Sequence, residues 1–114
     1  MVFQQPNTRY YVLDKNLFKT DTYKHISNTA KLGYAILQDY LSIAVDKDWI
    51  DKEGRLYIEV TNEELGKILN KSNNTIVKIK KELEKVELLH QKRTGSNKPN
   101  RLYLSQPKPS KNND

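Results

Sequence analysis

The sequence predicts an α+β domain of the winged helix-turn-helix class, with three main helices, a small antiparallel sheet and a C-terminal β-hairpin wing. Two helical patterns, at 61–69 and 72–86, follow each other almost without a linker. A longer helical pattern precedes them, and two short β patterns joined by a polar turn follow them. Because 114 residues suffice for one hydrophobic core but not for two, we expect a single folded unit at 27–105.

The first main helix is predicted to start at Ser27, a residue type favoured at the N-cap, and to end near Val45. Its apolar residues recur at steps of three and four, which is the pattern of one buried face: Ala30, Tyr34, Leu37, Leu41 and Ala44. Residues 1–26 predict an irregular N-terminal arm, in which residues 10–13 favour a short strand.

The polar stretch at 46–54 predicts a loop that ends at Gly54, and alternating apolar residues at 56, 58 and 60 then predict a short strand. The acidic residues of this loop lack the spacing of a calcium-binding loop, so we interpret the loop as a solvated turn. His25 and His90 stand far apart in the chain, which favours surface or cap positions for both. The sequence therefore predicts no catalytic residue, no metal site and no cofactor.

The two adjacent helical patterns have clear start signals. Thr61 and Glu64 have the spacing of a capping box, and Ser72 is the candidate N-cap of the second helix. One side of the second helix is apolar, with Ile76, Ile79, Leu83 and Val86. Two helices joined by so short a turn must cross steeply, so we expect the first turn of the second helix to project from the surface.

A projecting helix of this kind can bind DNA. An α-helix fits the major groove, and the free N–H groups and positive dipole end of its first turn favour phosphate. Asparagine can pair with adenine, and lysine can pair with guanine or a phosphate, so base-edge contacts are chemically available. The predicted recognition-helix residues are Ser72, Asn73, Asn74, Thr75, Val77, Lys78 and Lys81.

A hairpin with a basic tip is predicted from two β patterns, at 88–93 and 101–105, and the turn-forming sequence GSNKPN between them. As a wing beside the second helix, it would contact flanking phosphates or a minor groove. The predicted wing residues are Lys92, Arg93, Ser96, Asn97, Lys98, Asn100 and Arg101.

The charge of the chain is concentrated in this second half. Residues 66–101 hold ten basic and three acidic side chains, whereas residues 1–65 hold eight basic and ten acidic ones. A polyanion is the partner expected for such a polarised chain. The absence of cysteine and of any long apolar stretch predicts a soluble protein of the cytoplasm that meets no membrane. Residues 106–114 predict a disordered tail or a truncated linker.

The sequence resembles the N-terminal domain of plasmid replication initiator A proteins of Gram-positive bacteria. The most specific parts of the resemblance are Trp49-Ile50-Asp51 with Gly54 and Tyr57, and the wing sequence KPNRLY at 98–103. Further matching positions extend over most of the chain: Leu17-Phe18, Tyr23, Ser27, Ala30-Lys31-Leu32, Tyr34, Glu64-Leu65, Lys81-Glu82-Leu83 and Lys92-Arg93-Thr94-Gly95.

The resemblance implies a sequence-specific initiator that binds repeated sites in a plasmid replication origin as a dimer, with the recognition turn at 72–78 and the wing at 92–101. It also implies a separate C-terminal domain that recruits host replication proteins, and this chain ends before any such domain. The sequence departs from the family pattern at two places. Glu87 stands where glycine is common, and the uncharged pair Asn74-Thr75 stands where a lysine is common.

Two alternatives stay open on the sequence alone. A winged-helix transcription regulator would use the same groove-binding helix, and a protein-interaction winged helix would turn its basic face to an acidic protein and bind no DNA. For a homodimer, apolar area is available on the arm and first helix at Tyr10, Tyr11, Phe18 and Tyr40, although core packing is the more common use of each single residue of this kind.

Overall fold

The computed structural model describes residues 9–109, so the first eight residues of the predicted arm and residues 110–114 of the predicted tail lie outside it. Within that range the chain forms five helices and one two-stranded antiparallel sheet. The helices are α1 (Asn16–Lys19), α2 (Asp21–Lys24), α3 (Asn28–Asp46), α4 (Asn62–Leu69) and α5 (Asn73–Lys85), and the strands are β1 (Leu89–Lys92) and β2 (Arg101–Leu104). This order confirms the α+β winged helix, with α3, α4 and α5 as the three main helices.

Helix α3 is the central element of the core. It starts where the sequence predicts, because the Ser27 hydroxyl accepts a hydrogen bond from the Ala30 N–H at 3.0 Å. Its predicted apolar face is buried, apart from Leu41, which is half-buried. The Tyr34 hydroxyl, on that face, donates to the Ser105 carbonyl and so ties the helix to the chain just after β2.

Helices α4 and α5 form the helix-turn-helix. The capping box of Thr61 and Glu64 is present, and Asn70 ends α4 in the left-handed conformation at φ 56°. Gly66 allows the turn to close on the helix, since a Cβ at this position would lie 2.7 Å from the Lys71 carbonyl oxygen. Ser72 then caps α5 by accepting from the Thr75 N–H at 3.3 Å.

The predicted strand at 56–60 is reduced to single β-bridges, which corrects the sequence-based prediction. Leu56 bridges to Ile50, and Ile58 bridges to Leu102 of β2 with two hydrogen bonds of 2.9 Å. The chain changes partner between these points, because the Tyr57 N–H donates to the Trp49 carbonyl and not to β2. The segment therefore lies extended beside β2 without forming a continuous ladder.

The N-terminal arm differs from its prediction as well. Residues 10–13 form no strand, and two single-turn helices, α1 and α2, follow them. Leu17 and Tyr23 on these turns are buried in the core, at 0% and 3% exposure. These two residues therefore belong to the hydrophobic core, and the segment that carries them is not a loose arm.

The start of the predicted tail packs against the same two turns. Pro107 is buried, the Lys108 N–H donates to the Tyr23 hydroxyl at 3.0 Å, and the Thr20 hydroxyl donates to the Lys108 carbonyl at 2.9 Å. Residues 106–109 are thus attached to the fold, against the expectation of disorder. Among the helices described between residues 9 and 109, none combines the length and the apolarity that a bilayer crossing requires.

Candidate nucleic-acid interface

The exposed side of α5 carries one continuous stripe of polar and basic residues. Asn74, Lys78, Lys81 and Lys85 are all exposed and are spaced by four, three and four residues. At 100° per residue these side chains fall within an arc of about 60° on the helix surface. The stripe thus gives α5 three cations in line behind an asparagine.

The amino end of α5 is open to solvent. Ser72, Asn73 and Asn74 are exposed, and Thr75 is half-buried with its Oγ 3.3 Å from the Ser72 Oγ. The positive end of the helix dipole is therefore accessible to an anion in front of the first turn. This is the geometry that the sequence predicts for a helix that projects into a groove.

The opposite side of α5 is buried against the core through Ile76, Ile79 and Leu83. Lys80 also lies on this side and is only 7% exposed, with its Nζ donating to the Asn62 Oδ1 at 2.5 Å. Burial lowers the pKa of the Lys80 ammonium. Lys80 therefore makes its contacts inside the domain. Helical spacing could have indicated this, because Lys80 lies four residues after Ile76 and three residues before Leu83, on the same side of the helix.

An open groove of about 500 Å³ lies beside the amino end of α5, between this helix and α4. Two exposed lysines of the groove, Lys67 and Lys71, were not among the residues singled out from the sequence. Lys67 lies on the last turn of α4, and Lys71 lies four residues later, in the connection between α4 and α5. The full lining is Asn62, Glu63, Gly66, Lys67, Asn70, Lys71, Ser72 and Asn73.

The hairpin exposes most of its predicted contact residues. Lys92 pairs with Arg101 across the last step of the ladder, and Arg93, Ser96, Asn97 and Lys98 are exposed on the connection between the strands. Asn100 is half-buried, and its amide donates to the Gln91 side chain at 3.3 Å. The tip of the wing is thus an exposed basic surface, whereas its base is tied by side-chain contacts.

Arg101 is held at the base of the wing. Its guanidinium lies over the Tyr57 ring, 4.2 Å from the ring centre, and its Nε is buried without a hydrogen-bond partner among the described residues. This contact is between residues 44 positions apart, so the sequence alone did not predict it. The phosphate or groove contacts of Arg101 and of the other thirteen predicted site residues stay predictions.

No group of His, Cys, Asp and Glu side chains between residues 9 and 109 is arranged to hold a metal ion. Asp46, Asp48, Glu53 and the two histidines are exposed, as expected for a solvated turn and for surface or cap positions. Asp51 of the same loop is the exception, and its side chain is only 4% exposed.

Comparison with known proteins places the chain in a family. Residues 9–114 match the family described as the N-terminus of replication initiator protein A, RepA. The chain belongs to this RepA N-terminal family. A curated relative, a 41 kDa protein of Lactobacillus helveticus, is 27% identical over 104 residues. That match covers 86% of this chain and 30% of the relative, so the chain spans about a third of the length of the relative.

Three solved structures share the fold of this RepA N-terminal domain, each over 92% of the chain. One, described as the N-terminal domain of a DNA-binding protein, is 42% identical with a TM-score of 0.82 and is covered over 80% of its length. A second, an MDR initiator, is 48% identical with a TM-score of 0.81 and is covered over 83%. A third, a Rep–DNA complex, is 42% identical with a TM-score of 0.82 and is covered over 81%.

Proposed function

We propose that this RepA N-terminal domain binds double-stranded DNA sequence-specifically, at repeated sites in a plasmid replication origin, and thereby starts replication in the bacterial cytoplasm. The observation that carries the proposal is the exposed stripe of Asn74, Lys78, Lys81 and Lys85 on the second helix of a helix-turn-helix. A similar structure, 42% identical, is described as a Rep–DNA complex, which supports the same role.

In the proposed mode of binding, the stripe of α5 enters the major groove and the exposed wing cations contact neighbouring phosphates. Asn74 is the residue best suited to distinguish bases, because an amide can both donate to and accept from adenine. Lys78 can pair with guanine, whereas Lys81, Lys85 and the wing cations neutralise phosphates, which fixes the domain on the duplex without sequence preference. The domain itself carries out no catalysis in this proposal, and host replication proteins are recruited by another part of the longer protein.

A homodimer is part of the proposal, since repeated origin sites and two-fold protein symmetry commonly go together. Tyr10, Tyr11 and Phe18 support it, because these three aromatic side chains, all within one segment of nine residues, are exposed by 60%, 53% and 47%. Sedimentation of Tyr11→Asp, compared with Lys19→Asp on α1, tests this surface. A monomer for the first variant and a dimer for the second is the expected result, and dimers for both contradict the proposal.

Binding is tested on duplexes that this chain selects from a randomised double-stranded library, compared with unselected duplexes. If six to eight phosphates are neutralised, the logarithm of the affinity should fall with the logarithm of the salt concentration at a slope of roughly −5 to −7. A transcription regulator would show the same slope but would act at promoters and not at origin repeats. An absence of any duplex binding would favour the protein-interaction winged helix.

A further inference from the structure

The wing is attached to the loop between α3 and α4 through one carboxylate. The Tyr103 hydroxyl of β2 donates to Asp51 Oδ2 at 3.0 Å. The other oxygen of Asp51, Oδ1, accepts from the backbone N–H groups of Glu53 and Arg55, each at 2.9 Å. Arg55 Nε also lies 3.3 Å from Oδ2, so both carboxylate oxygens are engaged.

The same carboxylate organises its own loop. The Asp51 N–H donates to the Arg55 carbonyl at 2.9 Å, and the Gly54 N–H donates to the Asp51 carbonyl at 3.0 Å across a turn in which Gly54 has φ 84°. Hydrogen bonds from the Arg55 backbone, and next from the Tyr103 hydroxyl, lower the pKa of Asp51. Asp51 is therefore a charged acceptor at neutral pH, fixed in place before it meets the wing.

Aromatic and cationic contacts surround this link and extend it to Arg101. Tyr57 and Tyr103 have ring centres 6.1 Å apart, and the Trp49 ring stacks on Tyr57 at 6.2 Å with an interplanar angle of 11°. The guanidinium of Arg55 lies 5.3 Å from the Tyr103 ring centre, and that of Arg101 lies 4.2 Å from the Tyr57 ring centre. The orientation of the wing arginine thus depends on rings that the loop holds.

We infer that Asp51 is a positioning residue for the wing, acting through Tyr103 to hold β2 in the orientation in which the hairpin contacts DNA. Asp51 does not touch DNA itself in this assignment. The inference rests on the proposed function for its consequence in binding, but its first step, order of the wing, can be observed without DNA.

A two-stranded hairpin needs such a support. The sheet has only two strands of four residues each, and isolated two-stranded hairpins are marginally stable in water. The Ile58–Leu102 bridge supplies one additional attachment, and the Asp51–Tyr103 hydrogen bond supplies a second on the next residue of β2. Without the second attachment, Leu102 is the one remaining of these two contacts, and the hairpin can pivot about it.

The test uses Asp51→Asn, which removes the charge, and Tyr103→Phe, which removes the hydroxyl. Each substitution changes the side-chain volume little. Asp46→Asn, at an exposed position of the same region, is the matched control for the loss of one negative charge. Thr22→Val, at an exposed threonine of α2, is the control for the loss of one hydroxyl. Two independent routes to the same broken contact keep the inference testable if one variant folds poorly.

Without DNA, we expect hydrogen exchange of the β2 amides to accelerate in both variants, while amides of α4 and α5 keep the protection of the unaltered chain. With DNA, we expect about tenfold weaker binding to selected and unselected duplexes alike, and a salt slope shallower by roughly one to two, as for the loss of one or two phosphate contacts. The double variant should be no worse than either single one.

Each of the other outcomes contradicts either the positioning role of Asp51 or the proposed function. Unchanged exchange in β2, or exchange that accelerates throughout the domain, contradicts a positioning role for Asp51. Faster exchange in β2 with an unchanged salt slope shows that the wing order does not serve DNA binding and also overturns the inference. If the unaltered chain binds no duplex, the proposed function fails, whereas the exchange result still decides whether Asp51 holds the wing.

Discussion

The Glu82 carboxylate, on the last turn of α5, caps the amino end of α3. Its two oxygens accept hydrogen bonds from the Ser27 N–H at 2.7 Å and from the Ser27 hydroxyl at 2.8 Å. The negative charge also lies at the positive end of the dipole of α3. The candidate recognition helix is therefore fixed to the central helix by a contact between residues 55 positions apart.

Glu82→Ala should lower the free energy of unfolding by about 1–2 kcal/mol, because it removes two hydrogen bonds to a charged acceptor at a partly exposed position. Glu84→Ala is the matched control, since Glu84 is an exposed carboxylate two residues later on the same helix. Its effect should stay within about 0.5 kcal/mol. Urea denaturation measures both, and equal losses for the two variants would contradict the role given to Glu82.

Gly66 and Gly33 allow two close approaches of different kinds. A Cβ on Gly66 would meet the backbone oxygen of Lys71 at 2.7 Å, whereas a Cβ on Gly33 would meet the end of the Ile79 side chain at 2.8 Å. Backbone in the turn between α4 and α5 cannot move without shifting the start of α5. A side-chain methyl group can move by rotation.

Gly66→Ala should therefore destabilise the domain by about 1–3 kcal/mol and weaken DNA binding, in spite of the better helix propensity of alanine. Gly33→Ala should be less harmful, because the propensity gain of about 1 kcal/mol offsets part of the strain. Thermal denaturation and duplex binding of both variants check this order. A more severe effect of Gly33→Ala would show that the turn tolerates displacement.

Local chemistry explains which parts of the fold were predictable from the sequence. The N-caps Ser27, Thr61 and Ser72 act on residues within three positions, so their spacing alone predicts where α3, α4 and α5 begin. The apolar faces of α3 and α5 and the two strands of the hairpin follow from periodicity in the same way. Residue spacing also predicts the exposed stripe of α5.

The remaining features depend on contacts between distant residues. Leu17 and Tyr23 are buried in the core, and the chain after β2 returns to Tyr23, with the Lys108 N–H hydrogen-bonded to the Tyr23 hydroxyl across 85 positions. The packing of Arg101 on Tyr57 and the link from Asp51 to Tyr103 likewise join separate segments. Neither periodicity nor turn signals describe which segments meet, so the arm, the tail and the base of the wing could not be predicted.

Glu87 has a positive φ of 63° in the turn between α5 and β1, as the departure from the family pattern at this position suggested. A residue with a Cβ is strained there by about 1 kcal/mol relative to glycine. Glu87→Gly should raise the free energy of unfolding by about that amount. The control is Asn70→Gly, at φ 56°, where asparagine tolerates the left-handed region and only a few tenths of a kcal/mol are expected. Denaturant midpoints at constant slope measure both, and a loss of stability in Glu87→Gly would refute the assignment of strain.

Burial raises the pKa of the Tyr34 hydroxyl to about 12. The folded state thus holds this proton more tightly than the unfolded chain, in which tyrosine titrates near 10. The contribution of this group to stability is complete below pH 10 and is lost as the pH rises from 10 through 12. The difference in unfolding free energy between the unaltered chain and Tyr34→Phe should therefore shrink over that interval.

Comparing the two chains at each pH isolates this contribution, because the ionisation of groups that the substitution does not affect cancels in the difference. A pH-independent difference for Tyr34→Phe would show that the hydroxyl titrates alike in the folded and unfolded states.

The two parts of the candidate interface should fail in different ways when mutated. Asn74→Ala and Lys78→Ala should reduce the preference for selected over unselected duplexes, each lost base contact being worth about 1–3 kcal/mol. Arg93→Ala and Lys98→Ala on the wing should weaken binding to all duplexes alike and make the salt slope shallower by about one each. Lys19→Ala on α1 controls for the loss of one positive charge away from the interface. If the α5 variants lost selected and unselected binding equally, α5 would act only on phosphates, and sequence preference would have to come from another surface of the domain.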